Sequence, residues 1–230
     1  MSLTLYELAG RDDFRFSPFS WRIKMALHHK GLEFETQSVK FSDRSPIAKS
    51  GQERVPVLVD GETWIHDSWA IATWLDQQYP DRPSLLGGEA GAAHARFINN
   101  WTDTVVNSGI FMLTARDILD HVHEDDIEFF RKTREDRIGK PLESLLEGRD
   151  DRVKGFRSSL QPLRQTLKLQ EYLGGGSPDY ADYIVFGSLQ WARCASPFRL
   201  LEEKDVINIW FGNMLDLFDG LGKKAAGYHI

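Results

Sequence analysis

A serine followed by a proline stands where the first predicted strand of this chain passes into its first predicted helix. The run Leu3–Leu8 alternates apolar and polar residues with period two, and residues 21–30 have the apolar spacing of an amphipathic helix. Ser17 therefore lies at or next to the helix N-cap, with Pro18 in the first turn, where its missing N–H costs nothing. Capping is the simpler role for Ser17. Presentation of polarised N–H groups to an anion is the alternative.

A second pattern indicates a hairpin that leads into another helix. Residues 54–65 read as two short strands joined at Asp60-Gly61, a dipeptide typical of tight hairpins. Pro56 opens the first of these strands, a position that tolerates a missing donor. Asp67 and Ser68 follow the second strand and precede a helical pattern. They can cap that helix, and its free N–H groups can also hold a carboxylate.

The order of elements predicts the fold class. Strand, helix, strand, short helix, strand, strand and helix follow one another in the order of a thioredoxin-like α/β unit. Residues 79–88 collect proline and glycine between two helical patterns and indicate a domain boundary. We predict an α/β, thioredoxin-like domain over residues 1–84 and an all-helical domain over residues 89–230, and we expect the charged run 124–157 to be a solvent-facing excursion. The helices of the second domain are predicted over 92–107, 109–121, 125–139, 160–172, 179–194 and 205–220. Asp182 falls at the capping-box position of the helix near Asp179, a folding role.

Composition narrows the function. The hydrophobic fraction of 41% suffices for a substantial core, and a formal charge of -6 provides no general basic surface for nucleic acid or anionic lipid. No apolar run approaches the ~20 residues of a membrane helix, and the N terminus carries no leader pattern. A single cysteine cannot form an internal disulfide, so we expect a reducing, cytoplasmic location. We expect no metal site, because no metal-ligand arrangement supports the following histidines: His28, His29, His121 and His123.

Several stretches together resemble a glutathione S-transferase. They are Ser-Pro-Phe-x-Trp-Arg at 17–22, Arg-Val-Pro-Val-Leu-Val-Asp-Gly at 54–61, Asp-Ser-Trp-Ala-Ile-Ala at 67–72, Tyr-Pro-Asp-Arg-Pro at 79–83 and the glycine-rich stretch 174–183. The resemblance extends from about residue 3 to residue 221. It is closest to the bacterial β-etherase-like branch, which cleaves aryl ethers of lignin-derived compounds with glutathione, and to related fungal transferases.

The resemblance implies that glutathione is the co-substrate and that Ser17 occupies the activating position. Only the thiolate of glutathione attacks well, so the site must lower the pKa of the thiol. A hydroxyl hydrogen bond and a helix N terminus can do so without a side-chain base. Ser20, one turn further on, is the rival hydroxyl, although a packing role explains it equally well. Since both positions lack sulfur, we expect negligible disulfide reductase activity.

The resemblance also assigns the remaining glutathione contacts. Val55 matches the residue whose backbone pairs with the cysteinyl unit, through a cis bond to Pro56, and Asp67 with Ser68 matches the pair that grips the γ-glutamyl end. Three cations are candidates for the carboxylates of the tripeptide, although ordinary solvated charges explain them as well: Arg22, Lys40 and Arg54.

The wall of the electrophile pocket is predicted from aromatic content. The candidates, which face the interdomain cleft in the family, are Trp101, Phe111, Trp191 and Phe198. Core packing is the alternative for each of them. Cys194, three residues after Trp191, is interpreted as a buried small hydrophobe and not as a nucleophile.

We therefore predict a glutathione transferase, a homodimer by resemblance, that attacks a small apolar aromatic electrophile. The sharper hypothesis is displacement of an aryloxy group next to a ketone, as in β-aryl ethers. Two alternatives remain open at this point. The chain can be a carrier that binds aromatic ligands without turning them over, or a structural or interaction protein that kept the fold.

Overall fold

The computed structural model describes residues 3–230; Met1 and Ser2, which open the first predicted domain, lie outside the described residues. The first domain is built on a four-stranded sheet in the order β2-β1-β3-β4, in which β1 pairs parallel with β2 and antiparallel with β3. The hairpin of β3 and β4 turns at Asp60 and Gly61, as predicted. The strands are β1 Leu3–Leu8, β2 Phe34–Val39, β3 Val57–Asp60 and β4 Thr63–His66. This mixed sheet confirms the thioredoxin-like class.

Two helices complete the first domain, and seven more follow within the described residues. Helices α3 and α4 are joined by a π-helical stretch, Thr102–Val106. The helices are α1 Pro18–His29, α2 Ser68–Gln78, α3 Gly88–Trp101, α4 Asn107–Ile118, α5 Ile127–Ile138, α6 Arg149–Ser159, α7 Gln161–Leu167, α8 Tyr180–Ala195 and α9 Val206–Lys224. The helical class of the second domain is confirmed. The proposed division at residues 84 and 89 stays a prediction. None of the helices within residues 3–230 is long and apolar enough to cross a membrane.

Helix α8 is the centre of the molecule and packs against α1 of the first domain. It is buried along almost its whole length. Gly187 permits the close approach, because a Cβ at this position would lie 2.4 Å from the carbonyl oxygen of Pro18. Asp179 and Asp182 form the predicted capping box at the start of α8, which is thereby confirmed. The first turn of α1 is thus held directly against the core of the second domain.

The charged run 124–157 is largely solvent-facing, as predicted, but it is folded onto the core and is not an excursion from it. Phe130, Val153 and Phe156 are buried, and residues 149–159 form helix α6, which sequence periodicity had not indicated. Asp126 is fully buried and accepts hydrogen bonds from the N–H groups of Phe41 and Ser42, each at 2.8 Å. The many charged residues on the outer faces masked a sparse apolar spacing. Phe130 packs against Phe41 of the first domain, whereas Phe156 packs next to Gly109 of α4.

Candidate active site between the two domains

The first turn of α1 carries two hydrogen-bond donors that the helix itself does not use. Ser17 is the N-cap, and its Oγ accepts the N–H of Ser20 at 3.3 Å. The N–H of Trp21 bonds to the carbonyl of Ser17 at 3.1 Å, and Pro18 has no N–H. The N–H of Phe19 is therefore the donor of this turn that helix geometry leaves free. The hydroxyl of Ser17 is likewise free to donate, since its oxygen acts as the acceptor inside the cap.

The two serines differ in access. Ser17 is 5% exposed, whereas Ser20 is completely buried and its Oγ has no hydrogen-bond partner among the described residues. Ser17 is the N-cap and stands outside the helical hydrogen-bond ladder, at the end of α1. Ser20 faces the interior of the fold. Access therefore favours Ser17 as the hydroxyl that serves a bound anion.

The Val-Pro segment lies beside this helix start. The bond between Val55 and Pro56 is cis, which confirms the expectation drawn from the resemblance. The side chain of Val55 packs against the apolar cluster that contains Phe16, the residue before Ser17. Two motifs that lie about forty residues apart in the sequence thus meet at one end of the sheet.

The backbone at Asp67 and Ser68, at the start of α2, is strained at Asp67 and is held in place by hydrogen bonds; we call it the Asp67 corner. Asp67 has φ 70° and ψ 128°, a conformation that a non-glycine residue rarely adopts and that costs on the order of 1–3 kcal/mol. Its carboxylate accepts the N–H groups of Trp69 and Ala70, both at 3.0 Å. The carbonyl of Ser68 accepts the hydroxyl of the buried Tyr180 at 2.7 Å. Strain that tertiary contacts maintain is typical of a functional site.

Tyr180 is a positioning residue that sequence reasoning missed. It stands on α8, and burial raises the pKa of its hydroxyl above the ordinary value. Its hydroxyl therefore stays protonated and donates to Ser68 at every relevant pH. The stretch 174–183 had already pointed to a capped core helix, but nothing in the sequence indicated that this tyrosine reaches across to α2.

Arg22 does not lie in the predicted glutathione site, and this assignment is corrected. Its side chain is completely buried, and its guanidinium donates to Asn99 Oδ1 at 3.0 Å and to Asp103 Oδ1 at 2.6 Å. Both partners belong to the second domain. Arg22 therefore joins the two domains and is not available for a carboxylate of the tripeptide.

Lys40 and Arg54 remain at the surface of the first domain. Lys40 pairs with Asp125 of the second domain at 2.8 Å, and both side chains are well exposed, so this contact contributes little to stability. Arg54 is exposed, and its guanidinium makes no hydrogen bond within residues 3–230. Their role towards glutathione stays a prediction.

Phe111 and Trp191 reach the boundary between the domains. We call the apolar residues that meet there the interdomain cluster; it contains Leu8, Phe16, Phe41, Phe111, Phe130 and Cys194, among others. Phe111 is 8% exposed, and Trp191 packs against the cluster from α8. Burial raises the pKa of the Cys194 thiol to about 12, which makes this cysteine an inert core residue. Trp101 packs against the main core at the end of α3.

Phe198 lies elsewhere, and its assignment to the interdomain cleft is corrected. Its ring is covered by the guanidinium of Arg149, whose carbon lies 4.0 Å from the ring centroid. The surrounding surface depression is lined only by residues of the second domain: Arg149, Asp150, Val153, Arg157, Pro197, Phe198 and Arg199. Phe198 follows the end of α8 at Ala195 and lies in no helix, so helical spacing could not predict its position.

The histidines considered as metal ligands each have an aromatic or hydrogen-bonding neighbour. His28 stacks on Phe218, and the ring of His121 stacks on Phe14. The Nδ1 of His29 lies 2.6 Å from the Tyr183 hydroxyl, and that of His123 accepts the N–H of Asp125. Among residues 3–230 no group of three or more His, Cys, Asp or Glu side chains is arranged to hold a metal ion.

Comparison with known proteins identifies the family. The profile of the glutathione S-transferase N-terminal domain matches residues 13–83, and that of the C-terminal domain matches residues 92–220, more than half of the chain. The chain belongs to the glutathione S-transferase family. The first match covers three of the four strands, the Ser17 turn and the Asp67 corner, and the second covers most of the helical domain that packs against them.

Individual relatives agree with this family. Glutathione S-transferase 1 of Dianthus caryophyllus is 28% identical over 191 residues, which cover 76% of this chain and 82% of the relative. The transferase GSTFuA3 of Phanerochaete chrysosporium superposes with a TM-score of 0.78 over 96% of this chain and 92% of its own, at 23% identity. The transferase CsGST63524 of Ceriporiopsis subvermispora, solved in complex with glutathione, gives 0.76 over 96% and 93% at 24% identity. Likeness to these two structures shows the shared fold.

Proposed function

We propose that Ser17 stabilises the thiolate of glutathione while it attacks an apolar aromatic electrophile held between the domains. The family makes the chain a glutathione transferase with glutathione as its co-substrate. The assignment of Ser17 rests on the hydrogen-bond donors at the start of α1 that the helix leaves without a partner. The Ser17 hydroxyl and the Phe19 N–H are left free at a helix N terminus, where negative charge is favoured.

The magnitudes suffice for activation. A hydrogen bond from a hydroxyl to a charged acceptor contributes about 1.5–3 kcal/mol, and a helix N terminus adds about 0.3–1 kcal/mol. One unit of pKa corresponds to about 1.4 kcal/mol of preference for the anion. The Ser17 turn therefore lowers the pKa of the bound thiol by about one to three units. This shift raises the thiolate fraction at neutral pH without a general base.

The rest of the glutathione site is proposed from the neighbouring elements. The backbone of Val55, beside the cis proline, pairs with the cysteinyl unit. Asp67 and Ser68 take the γ-glutamyl end, supported by the strained backbone at Asp67 and by the anchor from Tyr180. The exposed cations Lys40 and Arg54 lie on the same domain and serve the glycyl carboxylate.

The sharper proposal is cleavage of a β-aryl ether next to a ketone. The thiolate sulfur forms a bond to the carbon that carries the aryloxy group, and the phenolate leaves with the bonding electron pair. A phenol has a pKa near ~10, so its anion departs without a strong general acid. This agrees with a Ser-Pro-Phe-Ser turn that supplies donors but no acidic side chain.

A panel of electrophiles tests the proposed function. We expect glutathione-dependent conjugation of a chlorodinitroarene and glutathione-dependent release of phenol from a β-aryl ether ketone, both followed by chromatography of the products. Conjugation without phenol release would leave glutathione conjugation as the activity and exclude cleavage of β-aryl ethers. Binding of aromatic ligands without any turnover would identify a carrier. Failure to bind glutathione would identify an interaction protein.

Replacement of Asp67 separates binding from chemistry. The γ-glutamyl grip is made equally in the ground state and the transition state, so Asp67→Ala is expected to raise the glutathione KM with little change in kcat. The loss of one charged contact corresponds to about a tenfold change in KM. Steady-state kinetics with varied glutathione measure this split. A large fall in kcat at unchanged KM would show that Asp67 takes part in the chemical step.

We also propose that the functional partner in solution is a second copy of the chain. Helix α3 carries Phe97, an aromatic side chain that is 68% exposed and that a second copy of the chain could cover. The neighbouring Arg96 points in another direction, towards the first domain, where its guanidinium carbon lies 3.7 Å from the centroid of the Trp69 ring. A dimer formed through α3 would cover this apolar surface.

A further inference from the structure

We propose that the electrophile pocket takes an aromatic molecule that carries an anionic group, such as a carboxylate, and that Arg44, Arg134 and Arg137 bind this group. We call these three residues the arginine cluster. The inference rests on the proposed function, since it names the substrate class of the same site.

The arginine cluster lies over the aromatic wall of the interdomain cluster. The guanidinium carbon of Arg134 lies 4.9 Å from the ring centroid of Phe41 and 4.5 Å from that of Phe130. The guanidinium of Arg137 lies 4.7 Å from the centroid of Phe111. Phe41, Phe111 and Phe130 pack in the same cluster as the residue that precedes Ser17. Cationic groups and flat apolar faces therefore occur together next to the reacting end of the site.

The cations of the arginine cluster lack anionic partners. Within residues 3–230, none of the three guanidinium groups forms an ion pair within 4.0 Å, whereas the buried Arg22 does, at 2.6 Å. The Nη1 of Arg44 is buried without a hydrogen-bond partner. The guanidinium of Arg134 donates a hydrogen bond to the neutral hydroxyl of Thr133 at 2.8 Å. Arg44 and Arg134 are half-buried, whereas Arg137 is exposed. The cost of the unpaired charge therefore falls mainly on Arg44 and Arg134, and a ligand of opposite sign would offset it.

The three cations also repel one another. Burial, together with the positive charges of Arg137 and Arg44, lowers the pKa of Arg134 to about 10. Arg134 therefore stays charged at neutral pH, in a place that disfavours its charge. A bound carboxylate relieves the repulsion and supplies acceptors for the planar donors of the guanidinium groups.

Carboxylates of the protein do not neutralise the cluster. The charges of Asp126, Glu53 and Asp43 raise the pKa of Arg44, but burial outweighs them and the pKa stays below its ordinary value. The two oxygens of Asp126 already accept the N–H groups of Phe41 and Ser42. Asp126 thus holds the segment that carries Arg44 against the second domain. The cluster is in this way assembled from both domains.

Glutathione carries a carboxylate of its own, and its glycyl end is the competing ligand. Arg134 and Arg137 stand on α5 of the second domain, on the side that supplies the electrophile pocket in the proposed function. Lys40 and Arg54 remain on the first domain for the glycyl carboxylate. The position of α5 therefore favours the electrophile as the source of the anion.

A matched pair of electrophiles tests the inference. In 4-chloro-3,5-dinitrobenzoate and its methyl ester, the thiolate displaces chloride in the same way, and the two differ by one negative charge. We expect a higher kcat/KM for the acid, and we expect Arg134→Gln and Arg137→Gln each to lower this value about tenfold while changing that of the ester less than twofold. Lys132→Gln is the control, because it removes a positive charge from the same helix at a side chain that is 72% exposed.

A binding measurement separates this inference from the proposed function. Fluorescence titration with 1-anilinonaphthalene-8-sulfonate and with the uncharged N-phenyl-1-naphthylamine requires no turnover. We expect the two arginine variants to weaken binding of the sulfonate about tenfold and to leave the uncharged probe unchanged. This result would stand even if no electrophile were converted.

Three outcomes would overturn the inference. Equal losses for the charged and uncharged compounds would mean that the arginines only support the wall. A rise in the glutathione KM that is equal for the acid and the ester would assign the cluster to the glycyl carboxylate. An effect of Lys132→Gln as large as that of Arg137→Gln would mean that the net charge of the protein, and not the arginine cluster, causes the preference for the anionic compound. Thermal unfolding identifies a variant that fails to fold, in which case the other arginine variant decides.

Discussion

Replacement of Ser17 by alanine is expected to lower the turnover of glutathione conjugation about 10- to 100-fold at pH 7, because each unit by which the thiol pKa rises removes about a factor of ten in thiolate. The hydroxyl is the stronger of the two donors at the start of α1, and its loss leaves the N–H of Phe19 and the helix terminus. Some activity therefore survives. Turnover should recover in part at higher pH, where the thiol ionises without help.

Ser20→Ala is the matched control for this prediction. Both substitutions remove one hydroxyl from the same helical turn, but the Ser20 Oγ is buried and has no partner among the described residues. Its removal should leave the pH profile of kcat unchanged. The pKa of bound glutathione can be read from the thiolate absorbance in the ultraviolet during a pH titration. A raised pKa in Ser20→Ala, with Ser17→Ala unaffected, would show that the wrong serine was assigned.

The largest loss of stability is expected for Asp182→Ala at the start of α8. The buried carboxylate accepts the N–H groups of Leu173, Gly174 and Asp179 at 2.8, 2.9 and 3.1 Å, and the indole N–H of Trp210 at 2.9 Å. Alanine would leave these donors without an acceptor in the core. Because an unsatisfied buried donor costs about 1–3 kcal/mol, we expect the free energy of unfolding to fall by about 3–5 kcal/mol.

Asp179→Ala provides the comparison on the same helix. The side chain of Asp179 caps α8 through the N–H of Ala181 at 2.8 Å, and loss of an N-cap typically costs about 1 kcal/mol. Urea denaturation followed by tryptophan fluorescence gives both free energies, and Trp210 reports on the environment of Asp182 directly. If Asp182→Ala were no more destabilising than Asp179→Ala, the four N–H groups that donate to Asp182 would not carry the cost that we assign to their loss of an acceptor.

Local chemistry made much of the first domain predictable from the sequence. The alternation of β1, the Asp-Gly turn and the N-cap at Ser17 each depend on residues within a few positions of one another, and the structure confirms them. The capping box of α8 is local in the same sense. The cis bond before Pro56 came from family resemblance and is also confirmed. These features follow from backbone geometry and hydrogen bonding over short separations.

Tertiary structure alone decided which distant side chains meet. Family resemblance made Arg22 a candidate for the glutathione site and Phe198 a candidate for the cleft. Arg22 is instead committed to Asn99 and Asp103, and Phe198 lies under Arg149. The partners of Arg22 are 77 and 81 positions away, and no local spacing encodes such a pair.

The charged run 124–157 illustrates the same division. Its composition predicted exposure, yet its sparse apolar residues are buried and its Asp126 ties the second domain to the segment after β2. The sequence by itself determined the family, the elements of the first domain and the Ser17 turn, since these depend on local pattern, but it did not indicate helix α6. Only packing between the domains brought Arg44 beside Arg134 and left their charges unpaired, because burial and Coulomb interactions depend on distance in space and not on separation along the chain.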